Sequence, residues 1–275
     1  MITSSHNPKI ANIRSLQSQA RARREHNAFV VEGVRLAEEA LTAGWEANLV
    51  LYTPELSERG LQVVKDYVAR GVPVEQVTPS IMEAVSDTRT PQGVLVVLPM
   101  HTLPLPEVLD FIFIPDGISD PGNLGTMLRT AAAAGVGAIF LPPGTVDVFS
   151  PKVVRSAMGA HFRLPICTFT WDEIRLRLIA ASVRVYLATA EPVEGDRLAD
   201  YRLPLALIVG GEAQGAGEPA QQLADGRIHI PMPGGMESLN AAVAAGILLF
   251  EIVRHRHPFP EKRSMHPLRN GSSER

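Results

Sequence analysis

The sequence predicts two α/β units in tandem, and three observations predict it. Short β-rich runs alternate with capped or amphipathic helical stretches along most of the 275 residues. Pro99, Pro104 and Pro106 interrupt that periodicity over residues 99–106, which marks a junction. Beyond it, residues 111–115 (FIFIP) and 205–209 (LALIV) are apolar throughout, the pattern of parallel strands covered on both faces. The length suits one large or two modest domains.

The first unit spans residues 1–98. Residues 8–24 are expected to form one helix, with Asn7 as its cap and Pro8 at the first helical position. A strand over 28–31 leads to a helix from Gly33 or Val34 to about Ala43, closed by Gly44. Strands are expected at 48–52, 72–77 and 94–98, with helices at 61–69 and 79–85 between them. Residues 99–106 are the linker, and the second unit covers 107–258. Its strand 111–115 runs into the loop 116–122 and a helix over 124–134, with Asn123 at the N-cap and Gly135 as the stop. Strands follow at 138–141, 164–168, 183–188 and 205–209, with helices at 151–157 and 173–181. The closing stretch is a strand over 228–231, a turn, and a small-residue helix over 239–251 with Ser238 and Asn240 at its mouth. After Pro258 the periodicity vanishes, so 259–275 is expected to be a flexible tail.

Bulk composition excludes several classes. Hydrophobic content of 45% with 20% charged residues describes an ordinary soluble globular chain. No apolar run approaches the roughly 20 residues a membrane span needs, and the opening MITSSHNPKIANIR has no secretory core. A single cysteine, Cys167, permits no internal disulfide and points to the cytoplasm. No Cys/His cluster suggests a metal. The net charge is −3, yet residues 1–27 carry Lys9, Arg14, Arg21, Arg23 and Arg24 against Glu25 alone. The end of the chain is basic as well, from Arg254 to Arg275. Basic ends on an acidic body are either a solvated surface or contacts for a polyanion's phosphates.

Three patterns sit at strand-to-loop or loop-to-helix junctions: Asn123-x-Gly125-x-x-x-Arg129, Gly210-x-Glu212, and Ile230-Pro231-Met232 with Ser238-Leu239-Asn240. In this order they resemble the three signature motifs of the SpoU/TrmH RNA ribose 2′-O-methyltransferases of the knotted SPOUT superfamily. The opening HNPKIANIRSLQSQARARREHNAFVVEG also resembles the substrate-binding domain of SpoU-class rRNA enzymes. The resemblance implies a small N-terminal α/β RNA-binding domain ahead of a parallel-sheet α/β domain with a deep trefoil knot. It implies S-adenosylmethionine as methyl donor, a homodimer through the knotted domain, and RNA as substrate. Ribosomal RNA of the 23S type is expected ahead of tRNA, because the first domain is of the rRNA-enzyme kind. Arg155, in SPKVVRSAMGA, matches a family arginine near the target RNA. Arg21, Arg23 and Arg24 remain open between RNA contact and scaffold.

Ribose methylation needs a bound sulfonium donor, a 2′-hydroxyl in line with its methyl group, and a path for the hydroxyl proton. By resemblance Gly210, Gly211, Ile230, Met232 and Leu239 would hold the donor: glycines admit a nucleoside close to backbone, and the apolar side chains form a slot for adenine and thioether. Arg129, Asn123, Glu212, Ser238 and Asn240 form the catalytic set. Arg129 would meet a phosphate or the developing alkoxide; a guanidinium is essentially never deprotonated, so it is not the base. Glu212 is either a proton acceptor or a loop-holding carboxylate, while Ser238 and Asn240 position ligand and loop. Two rivals are weaker. Gly215-x-Gly217-x-x-Ala220 superficially fits a dinucleotide fingerprint, but too few strands follow it. A non-catalytic RNA-binding chain of the same fold would have no need of the intact motif residues.

Overall fold

The protein is described by a computed structural model covering residues 1–191, 201–212 and 215–257. The expected tail at 259–275, with Lys262, Arg263, Arg269 and Arg275, lies outside the described residues.

Asn7 accepts a hydrogen bond from the Lys9 amide and Pro8 opens α1 (Pro8–Ser18), which buries Ile10, Ile13 and Leu16. The helix expected over 8–24 is broken. Gln19 is extended (φ −128°, ψ 117°), and a second helix, α2 (Ala20–His26), ends at Asn27 in the left-handed region (φ 47°). The break turns Arg23 inward, where it is 4% exposed. Next come β1 (Ala28–Glu32), α3 (Val34–Thr42), β2 (Leu49–Tyr52) and α4 (Glu58–Ala69). β3 (Val74–Gln76), α5 (Pro79–Val85) and β4 (Val94–Pro99) complete the first sheet, in the order β1-β4-β2-β3. β4 runs antiparallel to β1 and β2. Its side chains alternate between two cores: Val94, Val96 and Leu98 join Phe29 and Tyr67, whereas Leu95 and Val97 join the α1 residues and Met82.

The second sheet is six parallel strands in the order β10-β8-β9-β5-β6-β7. They are β5 (Phe111–Asp116), β6 (Ala138–Leu141), β7 (Ile166–Thr168), β8 (Arg184–Thr189), β9 (Leu205–Gly210) and β10 (Gly226–His229). Five helices cover the faces: α6 (Pro121–Ala133), α7 (Pro151–Ala157), α8 (Trp171–Ala180), α9 (Glu218–Leu223) and α10 (Ala241–Arg256). The short α9 was not expected from the sequence. α6 also begins two residues ahead of Asn123, because Asp120 is the cap and Pro121 the first helical residue. β5 and β9 bury both faces: Phe113 and Leu207 pack toward α6 and α10, while Ile112, Ile114 and Ile208 pack toward α8.

The two sheets are joined through α7 and the 3-10 turn after it. Phe149 packs on Phe29 and Phe162 on Trp45, with ring centroids 4.9 and 5.1 Å apart. Arg23 Nη2 lies 2.6 Å from Asp147 and Arg155 Nη1 2.5 Å from Asp87, and Arg163 pairs with Glu39. No helix among the described residues is long and apolar enough to cross a membrane.

Candidate active site

At the C-terminal ends of parallel strands the sheet leaves carbonyls and loops free to surround a ligand. Here the ends of β8 and β9 open onto a cavity of about 270 Å3. Gly210, Gly211, Ile230, Met232 and Leu239 all line it, with Glu212 and Ser238 beside them. The glycines are steric requirements. A Cβ on Gly210 would overlap the Ala216 amide, and one on Gly211 would sit 2.5 Å from the Gly117 carbonyl oxygen. Its wall includes residues the sequence reading passed over: Thr189 at the end of β8, Gly215 and Ala216, and Ala241, Ala244 and Leu248 on α10. The α10 residues were findable, since spacings of three and four put small side chains on one helical face.

Beside the cavity the three patterns meet at one carboxylate. Glu212 Oε1 accepts from Asn123 Nδ2 at 2.9 Å, Asn240 Nδ2 at 2.6 Å and the Ala241 amide at 3.2 Å. Asn240 Nδ2 also lies 3.1 Å from Asn123 Oδ1. Asn240 Oδ1 in turn accepts from the Ala242 and Val243 amides, so it is the true cap of α10 and three first-turn N–H groups are satisfied. Ser238 lines the cavity and does not cap. Among the described residues, the side-chain bonds of Glu212 tie the α6 start to the α10 start. Asn123 is the third residue of α6, where its amide donates to Asp120 Oδ1 at 2.8 Å and its side chain is free to reach Glu212. Gly125 lets α6 approach α7, for a Cβ there would meet Val153 O at 2.7 Å.

The signature of the SpoU rRNA methylase family matches residues 110–250, and that of the MRM3-like substrate binding domain matches residues 7–96. The 23S rRNA (guanosine(2553)-2′-O)-methyltransferase RlmP of Bacillus subtilis is 33% identical over 91% of this chain and 98% of its own length. The chain belongs to the SpoU rRNA methylase family. Human mitochondrial rRNA methyltransferase 3 is 30% identical over 88% of this chain and 71% of its own. Among solved structures, an AdoMet-bound rRNA methyltransferase from Sinorhizobium meliloti matches with a TM-score of 0.82 at 34% identity, over 92% of this chain and 97% of that one. The SpoU methyltransferase AviRb from Streptomyces viridochromogenes, in complex with AdoMet, gives 0.81 at 28% identity over 91% and 98%. The α/β class with a parallel-sheet second domain, expected above, is the fold of this family.

In this SpoU chain Arg129 lies on the exposed side of α6 and its guanidinium forms no hydrogen bond or ion pair among the described residues. A guanidinium held out without a partner, two turns beyond Asn123, is available to an incoming anion. Arg155 is half-buried and already paired with Asp87 of the first domain. Arg21 is exposed in an i,i+4 pair with Glu25, and Arg24 is exposed. Arg23 is different: of the two roles open to it, RNA contact or scaffold, its burial fits the scaffold and not the RNA contact. Its guanidinium is buried, donating to Asp147 Oδ2 and to the Leu16 carbonyl oxygen. It holds α1, α2 and the 147 loop together, and removing it would leave the half-buried Asp147 carboxylate and the Leu16 carbonyl without this donor.

Proposed function

We propose that this chain transfers the methyl group of S-adenosylmethionine to a ribose 2′-hydroxyl of ribosomal RNA of the 23S type. One observation carries the reading: the carboxylate that gathers all three patterns, Glu212, also walls the glycine-lined apolar cavity. The donor, when bound, supplies an electrophilic methyl on a sulfonium. Gly210, Gly211, Ile230, Met232 and Leu239 surround its nucleoside and thioether, and Ser238 lines the same space. Arg129 meets the phosphate or the oxygen on which negative charge develops, by charge-assisted hydrogen bonds. Glu212, with Oε1 engaged by three donors, positions Asn123 and Asn240, and the hydroxyl proton leaves to a phosphate oxygen or water.

The same reading divides the chain into an RNA-binding domain at 1–98, a linker at 99–106, a methyltransferase domain at 107–258 and a tail at 259–275. The matches at 7–96 and 110–250 support it. Arg21, Arg24 and Arg155 are its RNA contacts, the last after exchanging Asp87 for a phosphate. The trefoil knot and the homodimer belong to the proposal as well. On α10, Val243, Ile247 and Phe250 are 51, 44 and 48% exposed along one stripe, an apolar face suited to a second copy. A cytoplasmic location fits an rRNA substrate and a lone, buried thiol.

The test is to map 2′-O-methyl groups in total RNA from cells with and without the gene, then restore the missing one with purified protein and S-adenosylmethionine. Loss and restoration of a 23S-type site is the expected result. A tRNA site would select the tRNA alternative, and no change in any RNA would refute ribose methylation.

A further inference from the structure

Asp116 is a buried carboxylate that the proposed reaction does not use. It is the last residue of β5, paired in register with Gly210, the last residue of β9, and it is 5% exposed. A carboxylate taken out of water at a strand end costs stability unless it has a task. Burial pushes its carboxyl above the usual range, and one backbone hydrogen bond opposes that shift. The bond is from the Gly217 amide to Asp116 Oδ2, 2.7 Å long. No cation neutralises Asp116 and no other side-chain bond of it is found among the described residues.

What Asp116 holds is one wall of the cavity. Gly217 follows Gly215 and Ala216, which line the space, and Ala216 lies so close over Gly210 that no Cβ fits between them. The adjacent Gly117 carbonyl presses on Gly211 in the same way. Backbone at 116–117 therefore fixes the start of the wall, and the Asp116 side chain fixes its return. Gly217 has no side chain with which to tie itself, and no side-chain cap serves the helix it begins. The Gly215 amide also bonds the Gly211 carbonyl oxygen, and Gln221 Nε2 donates to the Ala216 carbonyl oxygen, both at 2.9 Å; the Asp116 bond is the tie that joins this wall to the end of β5.

We infer that Asp116 is a positioning residue for the methyl donor, acting through Gly217 to set the wall formed by Gly215 and Ala216. The inference rests on the donor occupying this cavity. It predicts that losing the bond weakens donor binding without a comparable loss of turnover at saturation. Asp116→Ala removes the acceptor, and about a tenfold rise in KM for S-adenosylmethionine is expected, the factor matching the loss of one hydrogen bond to a buried carboxylate. Asp116→Asn keeps an oxygen for Gly217 and carries no charge, so its KM should stay within about threefold of the parent, on the same scale. Gly217→Pro attacks the bond from the other side. The φ of −66° at Gly217 is the value proline requires, and the ring Cδ takes the place of the amide hydrogen, so the bond is lost and the Asp116 carboxylate must turn aside.

The experiment measures KM and kcat for the three single variants and the Asp116→Ala/Gly217→Pro pair, with calorimetric binding of S-adenosylmethionine and thermal melting alongside. The expected result is a raised KM in Asp116→Ala and Gly217→Pro, no further loss in the pair, and rescue in Asp116→Asn. A donor KM unchanged in Gly217→Pro, additive losses in the pair, or Asn as impaired as Ala would each overturn the inference. If Asp116→Ala does not fold, the Asn and Gly217→Pro arms decide alone. Should the unaltered protein itself fail to bind S-adenosylmethionine, the reading of the cavity fails, a result separate from any of these.

Discussion

Acidification should weaken the fold through one ring, His161, at the junction of the two domains. The imidazole is 3% exposed and faces Phe149 and Phe29, with ring centroids 5.6 and 6.3 Å away. Its Nε2–H donates to the Val148 carbonyl oxygen at 2.8 Å, and Nδ1 has no partner. Burial holds its pKa down to about 4 from 6.5, while the Val148 carbonyl and Asp147 pull the other way. The unfolded chain takes this proton near pH 6.5 and the folded chain only near 4, so between them the unfolded state binds more protons. Stability from this group is therefore full above pH 6.5 and lost as pH falls toward about 4. At roughly 1.4 kcal/mol per pH unit the whole interval amounts to about 3 kcal/mol. The check is urea denaturation from pH 7.5 to 4.5, comparing the protein with His161→Gln, which keeps a donor for Val148 but does not titrate. Their stability difference should be flat above pH 6.5 and change progressively below it. A difference independent of pH would refute a buried neutral histidine.

Three further outcomes follow from the site and its supports. Arg129→Ala should reduce turnover about 100- to 1,000-fold while melting and S-adenosylmethionine binding persist, and Arg129→Lys should stay impaired if a bidentate contact matters; normal methyl transfer by the alanine variant would remove Arg129 from the mechanism. Gly125→Ala should destabilise the protein by roughly 1–3 kcal/mol, because the new methyl presses on Val153 O and the Ala157 amide and α7 must move. An unchanged thermal melt would show that α6 and α7 can part freely. Ile247→Glu, in the exposed stripe of α10, should shift sedimentation from dimer to monomer, and a variant that remains dimeric would place the proposed interface elsewhere.

What the sequence made legible was mostly what is local. Apolar runs such as 111–115 and 205–209 became the central parallel strands because a strand covered on both faces has no polar alternation to hide. The break at Gln19 was not legible. Gln and Ala are good helix formers, and the chain parts there to bury Arg23 against Asp147, a partner 124 residues away. The start of α6, by contrast, was readable and misread: Asp120 before Pro121 is a cap followed by the residue favoured at the first helical position, and that signal outranks Asn123.

The candidate site divides in the same way. Glycines and apolar residues of the cavity could be named because they match the family's donor-binding positions, and their types suit close backbone approach and an apolar slot. The task of Glu212 could not, because it depends on Asn123, 89 positions earlier, and Asn240, 28 positions later, arriving at one oxygen atom. That convergence has a consequence for each member. Asn123 reaches Glu212 only because Asp120 starts α6 two residues early, and Asn240 reaches it only while capping α10. A residue held through a shared acceptor has no separate energy of its own: removing Glu212 releases both amides and a first-turn N–H of α10 together. Losses from substitutions at Asn123, Glu212 and Asn240 must therefore overlap, and the three act as a single joint between the helices that flank the cavity.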